Sequence, residues 1–180
     1  MHIVVKCEDM IVTRVQIENG STLNVCPKAT LEHLKVDMSL IWPSTMIIKA
    51  FDGTRQEVQH EIELMVEIGP RSFMVNFQVI KVDSLYNMLL GRPLLHVVGA
   101  VASTLHWRLK FISGNQLITI MVEEPMTIFQ ETSILYIDAN AFPKASFHSF
   151  ELVSMIHIAL KPESGWLTIV LMATKEMLKF

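Results

Sequence analysis

Charge is scarce in this 180-residue chain: only 18% of residues are Asp, Glu, Lys or Arg, against about 25% in average soluble domains. The two signs nearly cancel, 15 basic residues against 18 acidic, for a net charge of -3. That excludes a broad electrostatic footprint, so neither direct nucleic-acid binding nor an anionic membrane surface is expected. Cysteine is almost absent. Cys7 and Cys26 make no CxxC pair, and free, buried thiols in a reducing compartment are expected. Glycine and proline number seven each, below the usual share, which argues against a disordered tract. No long uncharged run exists either. A membrane-spanning helix needs about 20 apolar residues. The best window, 85–107, is broken by Arg92, Pro93, His96 and His106, and the apolar stretch 166–173 is too short. No basic start leads into an apolar run and a cleavage site, so a cytoplasmic protein with no signal peptide is expected. HExxH, GxSxG, Walker and GxGxxG motifs are all missing, and the seven histidines are scattered. Neither a metal nor a cofactor is expected.

Hydrophobic residues, by contrast, make up 51% of the chain. A domain of this length buries roughly 70% of its unfolded surface and needs no disulfide staple. The pattern is that of strands. From 57 to 68, Val58, Ile62, Leu64, Val66 and Ile68 take even positions, and Glu57, Gln59, Glu61, Glu63 and Glu67 take odd ones. Period two puts the apolar set on one sheet face and the acids in water. After Gly69-Pro70 the alternation resumes as Phe73, Val75, Phe77 and Val79, so 57–80 reads as a hairpin. The apolar run 46–51 ends in Asp52-Gly53, a strong hairpin signal. Residues 46–80 therefore form an antiparallel meander with a tip at 52–55. Pro27 and Pro93 each start a short helix. A further hairpin spans 108–122 around Gly114-Asn115. Beyond 125 no sustained periodicity survives, apart from helical pieces expected at 145–160 and 170–180.

Two motifs stand out. The first is Glu18-Asn19-Gly20-Ser21, reached from the apolar strand that ends at Ile17. A carboxylate at the end of a buried strand, followed by a glycine turn, is a way to present an acid at a cleft floor. The ordinary alternative is an Asn-Gly turn after an exposed Glu. The tripeptide Asn19-Gly20-Ser21 also fits the glycosylation sequon, but without a signal peptide it is not read as one. The second motif is Leu89-Leu90-Gly91-Arg92-Pro93, an apolar strand running into a helix. The remaining conspicuous residues have plain readings. The twelve methionines are core filler, the tryptophans are anchors, and the glutamate row at 57–67 is a solvated face.

Taken in order, 18–25, 50–55 and 89–96 resemble the retropepsin-type aspartic protease region of plant gypsy-type LTR retrotransposon polyproteins. Those stretches read along the lines of Asp-Asn-Gly-Ser-x-Leu-Asn-Val, Ala-Phe-Asp-Gly-x-Arg and Leu-Leu-Gly-Arg-Pro-x-x-His. The resemblance implies a mostly β fold: a closed, retropepsin-like barrel with one or two short helices over 1–122. An irregular, partly helical polyprotein spacer would follow over 123–180. It also implies a homodimer acting on a polypeptide substrate. Each subunit would contribute one carboxyl to a pair sharing a proton, and the pair would activate a water. Glu18 is the catalytic position, Asn19, Gly20 and Ser21 complete the active-site loop, Asp52 and Gly53 fall at the flap, and Gly91 and Arg92 form the structural motif.

The sequence departs from the family where the chemistry is done. Glu18 stands at the place of the catalytic Asp, one methylene longer. A misplacement of about 1 Å can cost on the order of 100-fold in rate, and two such errors would meet at one water. Arg92 in many viral relatives pairs with an acid just after the catalytic loop; Ser21-Thr22-Leu23-Asn24 offers none. Met1 falls just inside the first hairpin, so the upstream strand that retropepsins interleave at their dimer is expected to be missing. An impaired endopeptidase, a non-catalytic peptide-binding remnant and a truncated relic are thus the three functional expectations.

Overall fold

A computed structural model of the chain describes residues 1–34, 36–49, 53, 55–122, 136–138, 150–156 and 172–178. Strands dominate because most segments alternate. In β1 (His2–Cys7) every second side chain is buried, and β2 (Met10–Ile17) returns antiparallel to it. The long strand β6 (Arg55–Ile68) and β7 (Arg71–Ile80) form the expected hairpin. Val58, Ile62, Leu64, Val66 and Ile68 point inward, while Glu57 and Glu63 are exposed.

Six strands close on themselves. β2 runs parallel to β8 (Met88–Leu90), which touches β3 (Val25–Pro27), which runs parallel to β7. The ring is completed by β6 against β1 through Lys6↔Glu67 and Cys7↔Val66. Closure leaves the ring without free edges and encloses a side-chain-filled interior. The mostly β, closed-barrel expectation is met. Short strands β4 (Ile41–Pro43) and β5 (Ile47–Lys49) line the outer side of β6 at different heights. Helix α1 (Lys28–His33) starts directly after Pro27. Helix α2 (Arg92–Val98) carries Pro93 in its first turn and stops at Gly99, whose φ of 64° favours a residue without Cβ.

A second sheet is antiparallel. Its strands are β9 (Val101–Ser103), β10 (Arg108–Ser113), β11 (Gln116–Met121), β13 (Phe150–Ile156) and β14 (Met172–Leu178). A three-residue strand, β12 (Tyr136–Asp138), pairs with β2. Leu109, Phe111, Ile118 and Ile120 join the barrel's own core. Phe111 meets Phe73 edge-on, with ring centroids 5.9 Å apart. The Gly69-Pro70 turn abuts this sheet, because a Cβ on Gly69 would lie 2.6 Å from Ile120 Cδ1.

The helical pieces expected at 145–160 and 170–180 are corrected where they are described: both segments are strands. Phe150 and Leu152 pack against the shared core at period two, and β11 pairs antiparallel with β13 from Phe150 to Ser154. The segment Met-Ala-Thr-Lys-Glu-Met-Leu is rich in helix formers, yet it pairs along all of β13. Tertiary pairing overrides local propensity there. The described part of 123–180 is therefore built onto the first 122 residues, and the rest of that extension lies outside the described residues.

Candidate functional site

Strand β2 buries Ile17 and delivers Glu18 half-buried at its end. The Glu18 N–H donates to Leu90 O at 3.0 Å, which fixes the strand end against β8. The chain then turns tightly: Ser21 N–H donates to Glu18 O at 3.2 Å. Within this turn the Gly20 N–H donates to Glu18 Oε1 at 3.1 Å, and Gln16 Nε2 lies 3.5 Å from Oε2. The Glu18 side chain is thus curled onto its own loop. Asn19 and Gly20 are exposed. Ser21 Oγ donates to Leu23 O at 2.8 Å and receives the Leu23 N–H at 3.2 Å.

From the other side the loop is clasped by the β8–α2 elbow. Arg92 N–H donates to Ser21 O at 3.0 Å, and Gly91 N–H donates to Asn24 Oδ1 at 2.9 Å. Gly91 has ordinary extended backbone, φ -98° and ψ -169°. Its glycine is demanded by proximity instead: a Cβ there would sit 2.2 Å from Leu23 O. The two motifs separated by some seventy residues of sequence are therefore one structural unit. Glu18, Asn19, Gly20, Ser21, Gly91 and Arg92 all belong to it. The Arg92 side chain is exposed and makes no ion pair among the described residues. Gly53 lies between β5 and β6 with φ 85°, as a hairpin tip requires, and Asp52 lies outside the described residues.

Sequence reasoning missed the hub of this unit. Asn24 is 4% exposed. Besides receiving Gly91, its Nδ2 donates to Asn76 O at 3.0 Å, and its backbone oxygen receives Gln78 N–H at 2.9 Å. A buried amide can satisfy a donor and an acceptor at once, which is how Asn24 joins three chain segments. The only hint was a polar residue directly before an apolar strand. A second missed set ties the loop before β8 to β2. Asn87 Nδ2 donates to Thr13 O at 2.7 Å, Thr30 Oγ1 donates to Asn87 O at 2.7 Å, and Arg14 Nη2 donates to Leu85 O at 2.7 Å. Arg14 holds φ 55°, a rare conformation for a side-chain-bearing residue.

Chemically, the unit offers one carboxylate with partial access to water. A single carboxylate can take a proton from water, but protonating a carbonyl oxygen in the same step needs a second acid. Among the described residues no group of three His, Cys, Asp or Glu side chains is placed to hold a metal ion. Both cysteines are buried and free. Burial raises the Cys7 thiol strongly, with Cys26 and Glu8 adding to the effect, and pushes Cys26 up to about 12. Neither thiol is a nucleophile at neutral pH.

No protein-family model matches the chain, and no curated protein matches it. Solved structures do. The retroviral protease-like domain of Ddi1 from Leishmania major is similar at TM-score 0.49 and 19% identity, over 62% of this chain and 86% of that one. EIAV protease, complexed with the inhibitor HBY-793, is similar at TM-score 0.49 and 18% identity, over 57% of this chain and 91% of that one. At these identities no residue role transfers from either protein.

Proposed function

We propose that this chain is an aspartic-endopeptidase-type domain of plant retrotransposon origin. It acts as a homodimer in which two Glu18 carboxyls face one water, and its hydrolysis is impaired. The observation that carries this reading is the clasp: an acid-Asn-Gly-Ser turn locked by backbone hydrogen bonds onto a Gly-Arg elbow that opens a helix. A loop held this way keeps its carboxylate at a fixed place, as preorganised acid–base chemistry requires. The ordered motifs at 18–25, 50–55 and 89–96 support the retrotransposon origin. In the dimer one Glu18 takes a proton from the water as it attacks the scissile carbonyl, and the other, protonated, donates to the carbonyl oxygen. The 50–55 tip closes over the polypeptide as a flap.

Impairment follows from side-chain length. One extra methylene displaces each carboxyl by about 1 Å or more, worth on the order of 100-fold per error. The Gly20 N–H also engages Glu18 Oε1 inside its own loop. That engagement favours a second reading, a non-catalytic domain that binds peptide without cutting it. Sedimentation equilibrium and digestion of an unstructured polypeptide at acidic pH test the proposal. It expects a dimer with slow hydrolysis at most, abolished in Glu18→Gln. A strictly monomeric chain, or hydrolysis that survives Glu18→Gln, contradicts it.

A further inference from the structure

A concavity of about 440 Å³ lies on the outside of the barrel, and Glu18 is not among its lining residues. Its floor is the outward face of β6 and β7; α2 makes its wall. Glu61 and Gln78 sit directly opposite each other across the hairpin, so their side chains share this face. Met74, Pro93 and Val97 supply apolar surface. Two of these are conspicuously open to water: Met74 is 60% exposed and Val97 is 84% exposed.

The polar groups here are unevenly satisfied. Gln78 is 6% exposed; its Nε2 donates to Asn76 Oδ1 at 3.2 Å, and its Oε1 has no partner. A buried acceptor without a donor is costly, and a donor that reached it would relieve that cost. Glu61 Oε1 receives Ser44 Oγ at 3.0 Å. Glu61 makes no ion pair among the described residues, and neither do Glu63 and Glu67 farther along the outward face of β6. The site therefore combines uncompensated negative charge, an unmet acceptor and an apolar lip.

We propose that this concavity receives an arginine side chain from a partner polypeptide. A guanidinium carries five donors in a planar fork, enough to pair with the Glu61 carboxylate and, once the buried Gln78 amide turns outward, with its unpartnered Oε1 as well. Its three-carbon stem lies along Met74 and Val97, burying apolar surface while the charge stays paired. The volume falls in the range of small-ligand sites, about 300–1,000 Å³, and suits one long side chain with part of its neighbours. Because Glu18 takes no part, the site stands whether or not the chain hydrolyses peptides.

The test titrates the full chain with acetyl-Leu-Arg-Leu-amide, followed by calorimetry and by backbone amide NMR shifts. Saturable binding is expected, with the largest shifts at Asn76, Gln78 and Val97. Replacing the peptide's arginine with norleucine abolishes binding, and Glu61→Gln weakens it about tenfold, since one charge-assisted pair becomes neutral. Glu61→Gln keeps the side-chain shape, and an unchanged melting temperature verifies its fold. Agmatine competes, but more weakly than the peptide. No binding, equal binding of the norleucine peptide, full affinity in Glu61→Gln, or shifts centred on Glu18–Ser21, which do not line the concavity, would each overturn the proposal. Agmatine binding tighter than the peptide would assign the site to a small free cation instead.

Discussion

Gly91→Ala probes the clasp beneath Glu18 without touching Glu18 itself. The new Cβ would fall 2.2 Å from Leu23 O, 3.0 Å from Leu23 C and 3.0 Å from Ser21 O. All three are backbone atoms, so no side-chain rotation relieves the clash. Close carbon–oxygen contacts settle at about 3.3 Å, so loop and elbow must separate by roughly 1 Å. A move of that size takes the Gly91–Asn24 bond (2.9 Å) and the Arg92–Ser21 bond (3.0 Å) beyond hydrogen-bonding distance. Two lost bonds cost about 1 kcal/mol each, and forced overpacking adds about 1–3 kcal/mol. The expected destabilisation is therefore about 3–5 kcal/mol, read as a lower urea midpoint at unchanged slope. Gly99→Ala is the control. It has positive φ but open space around it, and should cost only about 1 kcal/mol. A Gly91→Ala protein within about 0.5 kcal/mol of the native chain would refute the clasp.

Other outcomes follow from neighbouring contacts. Asn24→Ala strips the partner from the Gly91 N–H and from Asn76 O, and should cost about 2–4 kcal/mol in the same urea assay. Gly69→Ala meets Ile120 Cδ1 at 2.6 Å with φ at 58°. It should cost about 1–3 kcal/mol, and adding Ile120→Val should restore part of the loss, measured as a double-mutant cycle. Ellman's reagent at pH 8 should find no reactive thiol in the folded chain and two in urea. The sign of the accompanying pH effect is fixed. Cys26 is raised from an ordinary 9.0 to about 12, so its stabilising contribution is full below about pH 9 and is lost as pH rises toward 12. Urea midpoints that rise between pH 9 and 11 would contradict that burial.

The barrel was legible where one face is wet and the other dry. Glu57, Glu61, Glu63 and Glu67 against Ile62, Leu64 and Val66 leave little choice but a strand, and Gly69-Pro70 leaves little choice but a turn. Both helices were marked by their prolines. Met172–Leu178 was misread because its composition favours a helix, while its partner β13 is supplied by distant sequence. The docking of the loop after Glu18, through Ser21 and Asn24, onto Gly91-Arg92 was legible only as a resemblance in motif order, since no local pattern announces a contact across seventy residues. Asn24 stayed hidden for the same reason: both of its partner segments, β7 and the Gly91 elbow, are remote in sequence. Arg14 at positive φ was invisible because its residue type argues against that conformation.

The most direct test of Glu18 as a lengthened catalytic acid is the rate of polypeptide cleavage at acidic pH by Glu18→Asp, set beside the native chain under identical conditions. Shortening the side chain draws each carboxyl back toward the backbone. The paired-carboxyl reading predicts a rise on the order of 100-fold or more. An equally inert Glu18→Asp protein that is folded and dimeric would contradict it.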